Sequence, residues 1–343
     1  MVNWVEAQKP LLHGLMKMSG LRQQTVDIEP AGTTMTFWVP KEKKKKKNQT
    51  HHEVVPVSRN NDNDDDDDNT SKKKKKKKKG HEKPAVVLVH GFAAEGIVTW
   101  QFQVGKLTSK YSVYVPDLLF FGGSTTRSGD RSPAFQAECL MRALDELGVH
   151  KYTVVGFSYG GMIAFKMAES RPDSVHSLVV SGSIIAMTDA VSAATMERLG
   201  FDTTSDLLLP ESVKGLKALL SVATYRKLWF PDFLHRDFLK VMFNNRKERA
   251  ELLDGLVISN KDAKVPNLNQ RVLLLWGEND NIFKFELAKK MSEQLGEKCV
   301  VVGIRKAGHL AQLERPCVYT RRLKEFLASV HSAEPPALQD QED

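Results

Sequence analysis

A five-residue turn, G-F-S-Y-G at positions 156–160, restricts the folds open to this chain more than any other stretch. A β-branched run, Thr153 to Val155, precedes it, and an apolar helical pattern follows, so a buried strand is predicted to turn sharply into a helix at Ser158. Gly156 and Gly160 would allow the two backbones to approach where a Cβ would clash. We therefore expect a strained serine with an exposed hydroxyl.

Composition restricts the protein class. The chain has 343 residues, 41% of them hydrophobic, which is sufficient for a large core without covalent cross-links. Three scattered cysteines, Cys139, Cys299 and Cys317, indicate neither a disulfide framework nor a zinc site, so no metal is expected. Because no apolar run reaches the length of a membrane span and no secretion signal is recognisable, we expect a cytoplasmic protein, at most peripheral to membranes.

The formal charge of +8 is concentrated in one segment. Residues 41–83 hold 16 Lys/Arg and 9 Asp/Glu, which leaves 34 and 33 in the remainder of the chain. Its blocks of like charge repel and bury nothing, so a disordered insert within the core is predicted, serving as a solvated tether, a polybasic lipid contact or a nuclear address. The nearly neutral remainder lacks basic stripes interleaved with aromatics, so nucleic-acid binding is not expected.

The order of predicted elements indicates an α/β architecture. Strands alternate with helices over 23–182 and again over 269–332, which favours a mostly parallel sheet with helices on both faces. Between these parts, residues 183–268 are predicted to form a helical cap. Residues 1–22 carry apolar side chains at helical spacing and are predicted to form an amphipathic helix that packs on the body or contacts a membrane. Residues 333–343 are predicted to be a frayed tail.

Three polar residues follow separate predicted strands. Ser158, Asp280 and His309 would meet where the carboxyl ends of parallel strands share one edge. In this chain order a serine triad is typical of α/β-hydrolases. His309 would accept the serine proton and Asp280 would orient the imidazole, with Glu278 as the alternative acid. The backbone N–H groups of Phe92 and Tyr159 are predicted to form the oxyanion hole.

Five motifs together resemble the α/β-hydrolase superfamily and span residues 84–330. They are His90-Gly-Phe, Pro116-Asp117 with Gly122-Gly123-Ser124, Gly156-Phe-Ser-Tyr-Gly160, Trp276-Gly-Glu-Asn-Asp280 and Ala307-Gly-His309. Among its branches, the chain looks like the plant proteins related to monoacylglycerol lipases. The resemblance implies a capped eight-stranded sheet and ester hydrolysis by the same triad without a cofactor.

The sequence departs from the family pattern beside one of these motifs. The glycine usual between Asp117 and Gly122 is replaced around Leu119-Phe120-Phe121, which predicts bulk near the mouth of the site. The cap is also rich in aliphatic and aromatic residues. Predicted pocket residues are Phe120, Phe121, Phe157, Trp229 and Phe230.

Three classes of function follow from these patterns. The first is a monomeric serine hydrolase that cleaves a lipophilic carboxylic ester through an acyl-enzyme on Ser158, with monoacylglycerol as the specific substrate. Carbon–carbon bond hydrolases and small-molecule receptors of the same fold keep the serine triad, so both remain alternatives. A polybasic lipid-binding protein is the third class, and it depends only on residues 41–83.

Overall fold

The computed structural model describes residues 3–29, 32–41, 83–227 and 229–332. The predicted charged insert, apart from its end residues Lys41 and Lys83, and the predicted tail at 333–343 lie outside the described residues.

The described strands are β1 Leu21–Ile28, β2 Thr33–Pro40, β3 Ala85–Val89, β4 Ser112–Pro116, β5 Tyr152–Phe157, β6 Val175–Ser181, β7 Met187–Thr188, β8 Val257–Ile258, β9 Arg271–Gly277 and β10 Cys299–Ile304. Eight of them form one sheet in the order β1-β2-β4-β3-β5-β6-β9-β10, and β7 pairs with β8 in the cap region. In the large sheet, β2 pairs antiparallel with both β1 and β4, and the other pairs are parallel. The predicted mostly parallel eight-stranded sheet is confirmed.

Thirteen described α-helices accompany these strands, and a 3₁₀ turn spans Asn260–Asp262. They are α1 Trp4–Met18, α2 Gly96–Thr99, α3 Val104–Leu107, α4 Pro133–Glu146, α5 Tyr159–Ser170, α6 Asp189–Leu199, α7 Thr204–Leu208, α8 Val213–Ala223, α9 Asp232–Met242, α10 Arg246–Asp254, α11 Phe285–Leu295, α12 Ala311–Glu314 and α13 Pro316–His331. Within the described ranges, none of them combines the length and the apolar character that crossing a bilayer would require.

The parallel strands are buried on both faces, as their continuous apolar sequences require. In β5, Val154 packs into a core with α4, α5 and the cap, whereas Val155 packs into a second core with α1, α3 and α13. All six residues of β5 are buried. This central strand therefore provides a rigid support for the turn at Ser158.

The N-terminal helix is shorter than the predicted 1–22. Helix α1 ends at Met18, and Gly20 adopts a left-handed backbone with φ of 81° that redirects the chain into β1. Leu21 then pairs with Pro40 in the sheet and is almost fully buried. The predicted boundary is wrong because the apolar residues around Leu21 serve a strand, and their spacing alone is compatible with either element.

The region between β6 and β9, predicted to be a cap of several short helices, contains five described α-helices, a 3₁₀ turn and one short strand pair. Met187 pairs with Val257 and Thr188 with Ile258 in parallel, which brings the two ends of this region together. Two-residue strands carry no recognisable alternation, and the four-residue helices α2, α3 and α12 are too short for a helical period. These elements were therefore absent from the prediction.

Candidate active site

The turn between β5 and α5 holds Ser158 in a strained conformation. Its φ of 53° and ψ of −121° lie outside the regions that L-residues ordinarily occupy. A Cβ on Gly156 would lie 2.4 Å from the carbonyl oxygen of Gly160. A Cβ on Gly160 would likewise lie 2.4 Å from the carbonyl oxygen of His90. Both glycines are therefore required for the backbones to approach closely enough to form this turn.

Replacing Gly160 by alanine should destabilise the protein severely, by about 3 kcal/mol or more, because its new methyl group would meet fixed backbone oxygens. Gly14→Ala in α1 is the matched control, since no atom lies within 4 Å of the Cβ position there. The control should be neutral or up to about 1 kcal/mol more stable, because alanine favours a helix interior. Urea unfolding measures the stability of both variants, and equal stabilities of Gly160→Ala and Gly14→Ala would contradict the predicted clash at Gly160.

Ser158, His309 and Asp280 are brought together at the carboxyl edge of the sheet. His309 Nε2 lies 3.0 Å from Ser158 Oγ, and His309 Nδ1 lies 2.8 Å from Asp280 Oδ2. Asp280 and His309 are only 1% and 5% exposed. The three side chains therefore form a continuous hydrogen-bonded chain that is largely shielded from water.

The carboxylate of Asp280 is held in place from both sides. Its Oδ1 accepts hydrogen bonds from the backbone N–H groups of Ile282 and Phe283, at 2.8 and 2.9 Å, which leaves Oδ2 for the imidazole. Glu278, the alternative acid, is exposed, and its carboxylate lies beside Gly303. The geometry therefore favours Asp280 as the partner of His309.

Glu314 anchors the loop that carries His309, although no sequence motif pointed to this residue. Its Oε2 accepts from the backbone N–H of Gly308 at 2.7 Å, and its Oε1 accepts from those of Tyr225 and Arg226. A Cβ on Gly308 would lie 2.7 Å from the backbone nitrogen of Tyr225. The histidine loop and the chain after α8 are therefore fixed to each other through one carboxylate.

Phe92 and Tyr159 carry the two backbone N–H groups that are predicted to form the oxyanion hole. Both residues line the same cavity as Ser158 and His309, and Tyr159 is the first residue of α5. Within the described chain, neither N–H has a protein hydrogen-bond acceptor. Among the described residues, both N–H groups therefore lack a competing partner, as donors of an oxyanion hole must.

His90 supports the loop that carries Phe92. Its Nε2 accepts from the backbone N–H of Leu118, and its Nδ1 donates to the carbonyl oxygen of Gly91. Complete burial lowers the pKa of His90 to about 4, so its imidazole remains neutral near pH 7. The neutral imidazole ties the loop after β3 to the loop after β4.

Asp117 in the loop after β4 is also buried. Its Oδ1 accepts from the backbone N–H of Gly96 at 2.9 Å. Burial raises the pKa of Asp117 to about 7, although the Gly96 hydrogen bond opposes this shift. The folded protein therefore keeps a proton on this carboxyl group at pH values where the unfolded chain loses it.

Asp117→Asn should remove a pH dependence of stability. In the wild type, the pKa of Asp117 is higher in the folded protein than in the unfolded chain. The protonated Asp117 therefore stabilises the folded state fully below about pH 4, and this contribution is lost as the pH rises toward 7. Asparagine retains an acceptor for the Gly96 N–H and does not titrate. Between about pH 4 and pH 7 the free energy of unfolding of the variant should therefore increase relative to that of the wild type, by about 1.4 kcal/mol per unit of pKa difference. Urea unfolding of both proteins at pH 4.5, 6 and 7.5 measures this difference in stability. A difference that stays the same at all three pH values would contradict the raised pKa of Asp117.

A mainly apolar cavity of about 250 Å³ opens at Ser158 and extends beneath the cap. Its walls include Met162 of α5, Phe157, and aliphatic residues of the cap helices. The cap contributes Met196, Leu207, Leu208, Leu216, Leu219, Leu220, Phe238 and Leu253. Among the described residues that line the cavity, none is Lys, Arg, Asp or Glu.

Of the five predicted pocket residues, only Phe157 lines this cavity. Phe120 has a left-handed backbone with φ of 71°, and the Arg131 guanidinium covers its ring at 4.6 Å. Arg249, fully buried on α10, covers the Phe121 ring at 4.0 Å and donates to the Phe120 carbonyl oxygen. The prediction is wrong for both phenylalanines because they pack against arginines, Arg131 of the core and Arg249 of the cap, where the core contacts the cap.

The prediction is also wrong for Trp229 and Phe230. Their side chains are 85% and 43% exposed and border a separate surface depression with Lys227 and His235. They precede α9, and their outward direction depends on how the cap helices pack. Hydrophobicity in the sequence could not distinguish an inward from an outward side chain here.

A metal site is not apparent in the described ranges. No group of three or more His, Cys, Asp or Glu side chains is placed there to hold an ion.

Curated relatives with named activities cover most of the described fold. A dihydrolipoyllysine-residue acetyltransferase component of an acetoin cleaving system from Cupriavidus necator is 27% identical over 71% of this chain and 63% of that protein. A 2-hydroxy-6-oxononadienedioate/2-hydroxy-6-oxononatrienedioate hydrolase from Pseudomonas sp is 26% identical over 73% of this chain and 89% of that protein. Monoacylglycerol lipase abhd6-A from Xenopus laevis is 24% identical over 74% of this chain and 77% of that protein. The chain thus spans less than two thirds of the first protein.

The fold recurs in solved structures. A putative lipase, lip1, from Acinetobacter baumannii AYE superimposes with a TM-score of 0.71 at 21% identity, over 94% of this chain and 96% of that one. A family described as the alpha/beta hydrolase fold matches residues 84–207, which contain the first parallel strand, the Ser158 turn and the beginning of the cap region. The sheet order, the strained turn at Ser158, the family match and the solved structures agree that the chain has the α/β-hydrolase fold.

Proposed function

We propose that this protein is a serine hydrolase that cleaves a carboxylic ester of a lipophilic substrate, with monoacylglycerol as the specific substrate. The observation that carries the proposal is the Ser158–His309–Asp280 hydrogen-bonded chain at one end of an apolar cavity. A serine hydroxyl is a poor nucleophile near pH 7, and a neighbouring imidazole removes this limitation.

The reaction would proceed through an acyl-enzyme. Ser158 Oγ attacks the ester carbonyl carbon while His309 Nε2 accepts its proton, and Asp280 stabilises the imidazolium. The tetrahedral oxyanion accepts hydrogen bonds from the backbone N–H groups of Phe92 and Tyr159. His309 then protonates the leaving alcohol, and a water molecule activated by the same histidine hydrolyses the acyl-enzyme.

The cavity lining supports a lipophilic acyl group. Methionine, leucine and phenylalanine side chains surround the space beneath the cap, which suits an alkyl chain. The relative from Pseudomonas sp is named for a substrate with two carboxylate groups. Binding such a dianion would require cationic partners in the cavity, and its described lining has no Lys or Arg. This contrast favours ester hydrolysis over carbon–carbon bond hydrolysis.

Turnover of p-nitrophenyl esters of graded chain length tests the proposal. We expect repeated turnover, with kcat/KM rising from acetate to medium-chain esters as the cavity fills, and release of glycerol from monoacylglycerol. A single stoichiometric release followed by no further turnover would instead indicate a receptor. Faster cleavage of 2-hydroxy-6-oxononadienedioate than of any ester would indicate the carbon–carbon hydrolase.

A further inference from the structure

Helix α1 has two apolar faces. At about 100° per residue, Val5, Leu12 and Met16 point toward the body of the protein, where Met16 is fully buried. A second set points outward within an arc of about 60°. This outer stripe consists of Trp4, Leu11, Leu15 and Met18, which are 57%, 66%, 39% and 85% exposed. A helix that only covered the core would need one apolar face.

The outer stripe leads to exposed aromatic residues of the cap. The backbone N–H of Trp4 donates to Asp237 Oδ2 of α9 at 2.8 Å, and Asn3 bonds to the backbone of the same residue. Phe233 lies one turn before Asp237 on the same face of α9. Trp229, Phe230 and Phe233 lie within five residues of one another in the sequence, each is at least 41% exposed, and together they are called the aromatic patch.

Positive charge accompanies both ends of this surface. At the end of α1, Lys41 donates from Nζ to the carbonyl oxygen of Lys17 and from its backbone N–H to that of Gly20. Exposed Lys227 lies beside Trp229 and Phe230 in the cap.

We propose that the outer stripe and the aromatic patch together dock on the surface of an anionic lipid bilayer. Tryptophan, phenylalanine and aliphatic side chains with flanking lysines match the boundary between head groups and acyl chains. A second copy of this chain fits less well, because a two-fold contact through the stripe would bring the same positive charges together. An anionic membrane complements that charge.

The docking surface also adjoins the cavity. Leu220 of α8 borders both the depression beneath the aromatic patch and the cavity that contains Ser158. A bilayer seated on the patch would therefore lie next to the wall of the substrate site. The docking itself does not depend on the proposed ester hydrolysis, and it can be measured without turnover.

Vesicle flotation tests the docking. Wild type and a triple variant, Leu11→Gln, Leu15→Gln and Met18→Gln, are floated with phosphatidylcholine vesicles with or without one third phosphatidylserine. We expect wild type to bind the anionic vesicles, more weakly at high salt, and the triple variant to lose about 100-fold in partitioning, since three apolar side chains no longer insert. Val265→Gln, also at an exposed apolar residue, is the matched control and should float like wild type.

Two further measurements separate docking from folding and from self-association. The melting temperature and p-nitrophenyl acetate turnover of the triple variant should match wild type, and Trp229→Gln with Phe233→Gln should independently weaken flotation. Unchanged flotation of both variants would overturn the proposal. Light scattering measures self-association. The proposal would also be overturned, in favour of a contact between copies, if the wild type were a dimer that does not bind vesicles and the triple variant were a monomer.

Discussion

Ser158→Ala should abolish ester turnover, with kcat reduced on the order of 10³-fold or more, as expected when the nucleophile of a triad is removed. The fold should persist, because alanine has the same Cβ as serine and Ser158 Oγ has its described partner only in His309. The unusual backbone at Ser158 is imposed by the surrounding β5–α5 turn, so the variant inherits the same strain. Initial rates with p-nitrophenyl butyrate measure the effect.

Ser183→Ala is the matched control for this variant. Ser183 is fully buried nearby and makes only a long contact from its hydroxyl to the carbonyl oxygen of Ile184, at 3.4 Å. Its removal should leave turnover within a few-fold of wild type. Near wild-type activity in folded Ser158→Ala protein would contradict the nucleophile assignment.

Asp280→Asn should lower kcat by roughly 10²–10⁴-fold, whereas Glu278→Gln should have little effect. Asparagine can still accept from the backbone N–H groups of Ile282 and Phe283 through Oδ1, which directs its amide NH₂ toward His309. The imidazole would then present its unprotonated Nδ1 to that amide and its N–H to Ser158, which is the wrong tautomer for a general base.

The pH profile distinguishes this cause from a loss of structure. Melting temperatures of the two acid variants should lie close to wild type, and the remaining activity of Asp280→Asn should rise with pH as hydroxide replaces the base. A crippled Glu278→Gln beside a nearly normal Asp280→Asn would reverse the roles of the two acids.

The sheet and the positions of the three polar residues could be predicted because each depends on a local pattern. The G-F-S-Y-G turn fixes a strand-to-helix junction within a few residues, and strands of apolar sequence leave Asp280 and His309 at the same sheet edge. Parallel pairing then brings the three loops together without further information.

The pocket could not be predicted in the same way. Phe120 and Phe121 appeared to be bulk at the mouth of the site, yet Arg131 and Arg249 hold them at the contact between core and cap. Those arginines are 10 or more residues away in sequence, so no local pattern relates them to the phenylalanines. The link from Glu314 to Gly308 and Tyr225 is non-local in the same sense, because Tyr225 follows a cap helix.

Mass spectrometry after reaction with a fluorophosphonate tests the assignment of the nucleophile most directly. The phosphorus centre reacts with an activated serine and mimics the tetrahedral intermediate, so its adduct identifies the nucleophile. We expect one adduct per chain, located on Ser158 by peptide mapping, with ester turnover lost in proportion to labelling and no adduct in the Ser158→Ala variant. An adduct on another residue, or full ester turnover in a completely labelled protein, would contradict the role of Ser158.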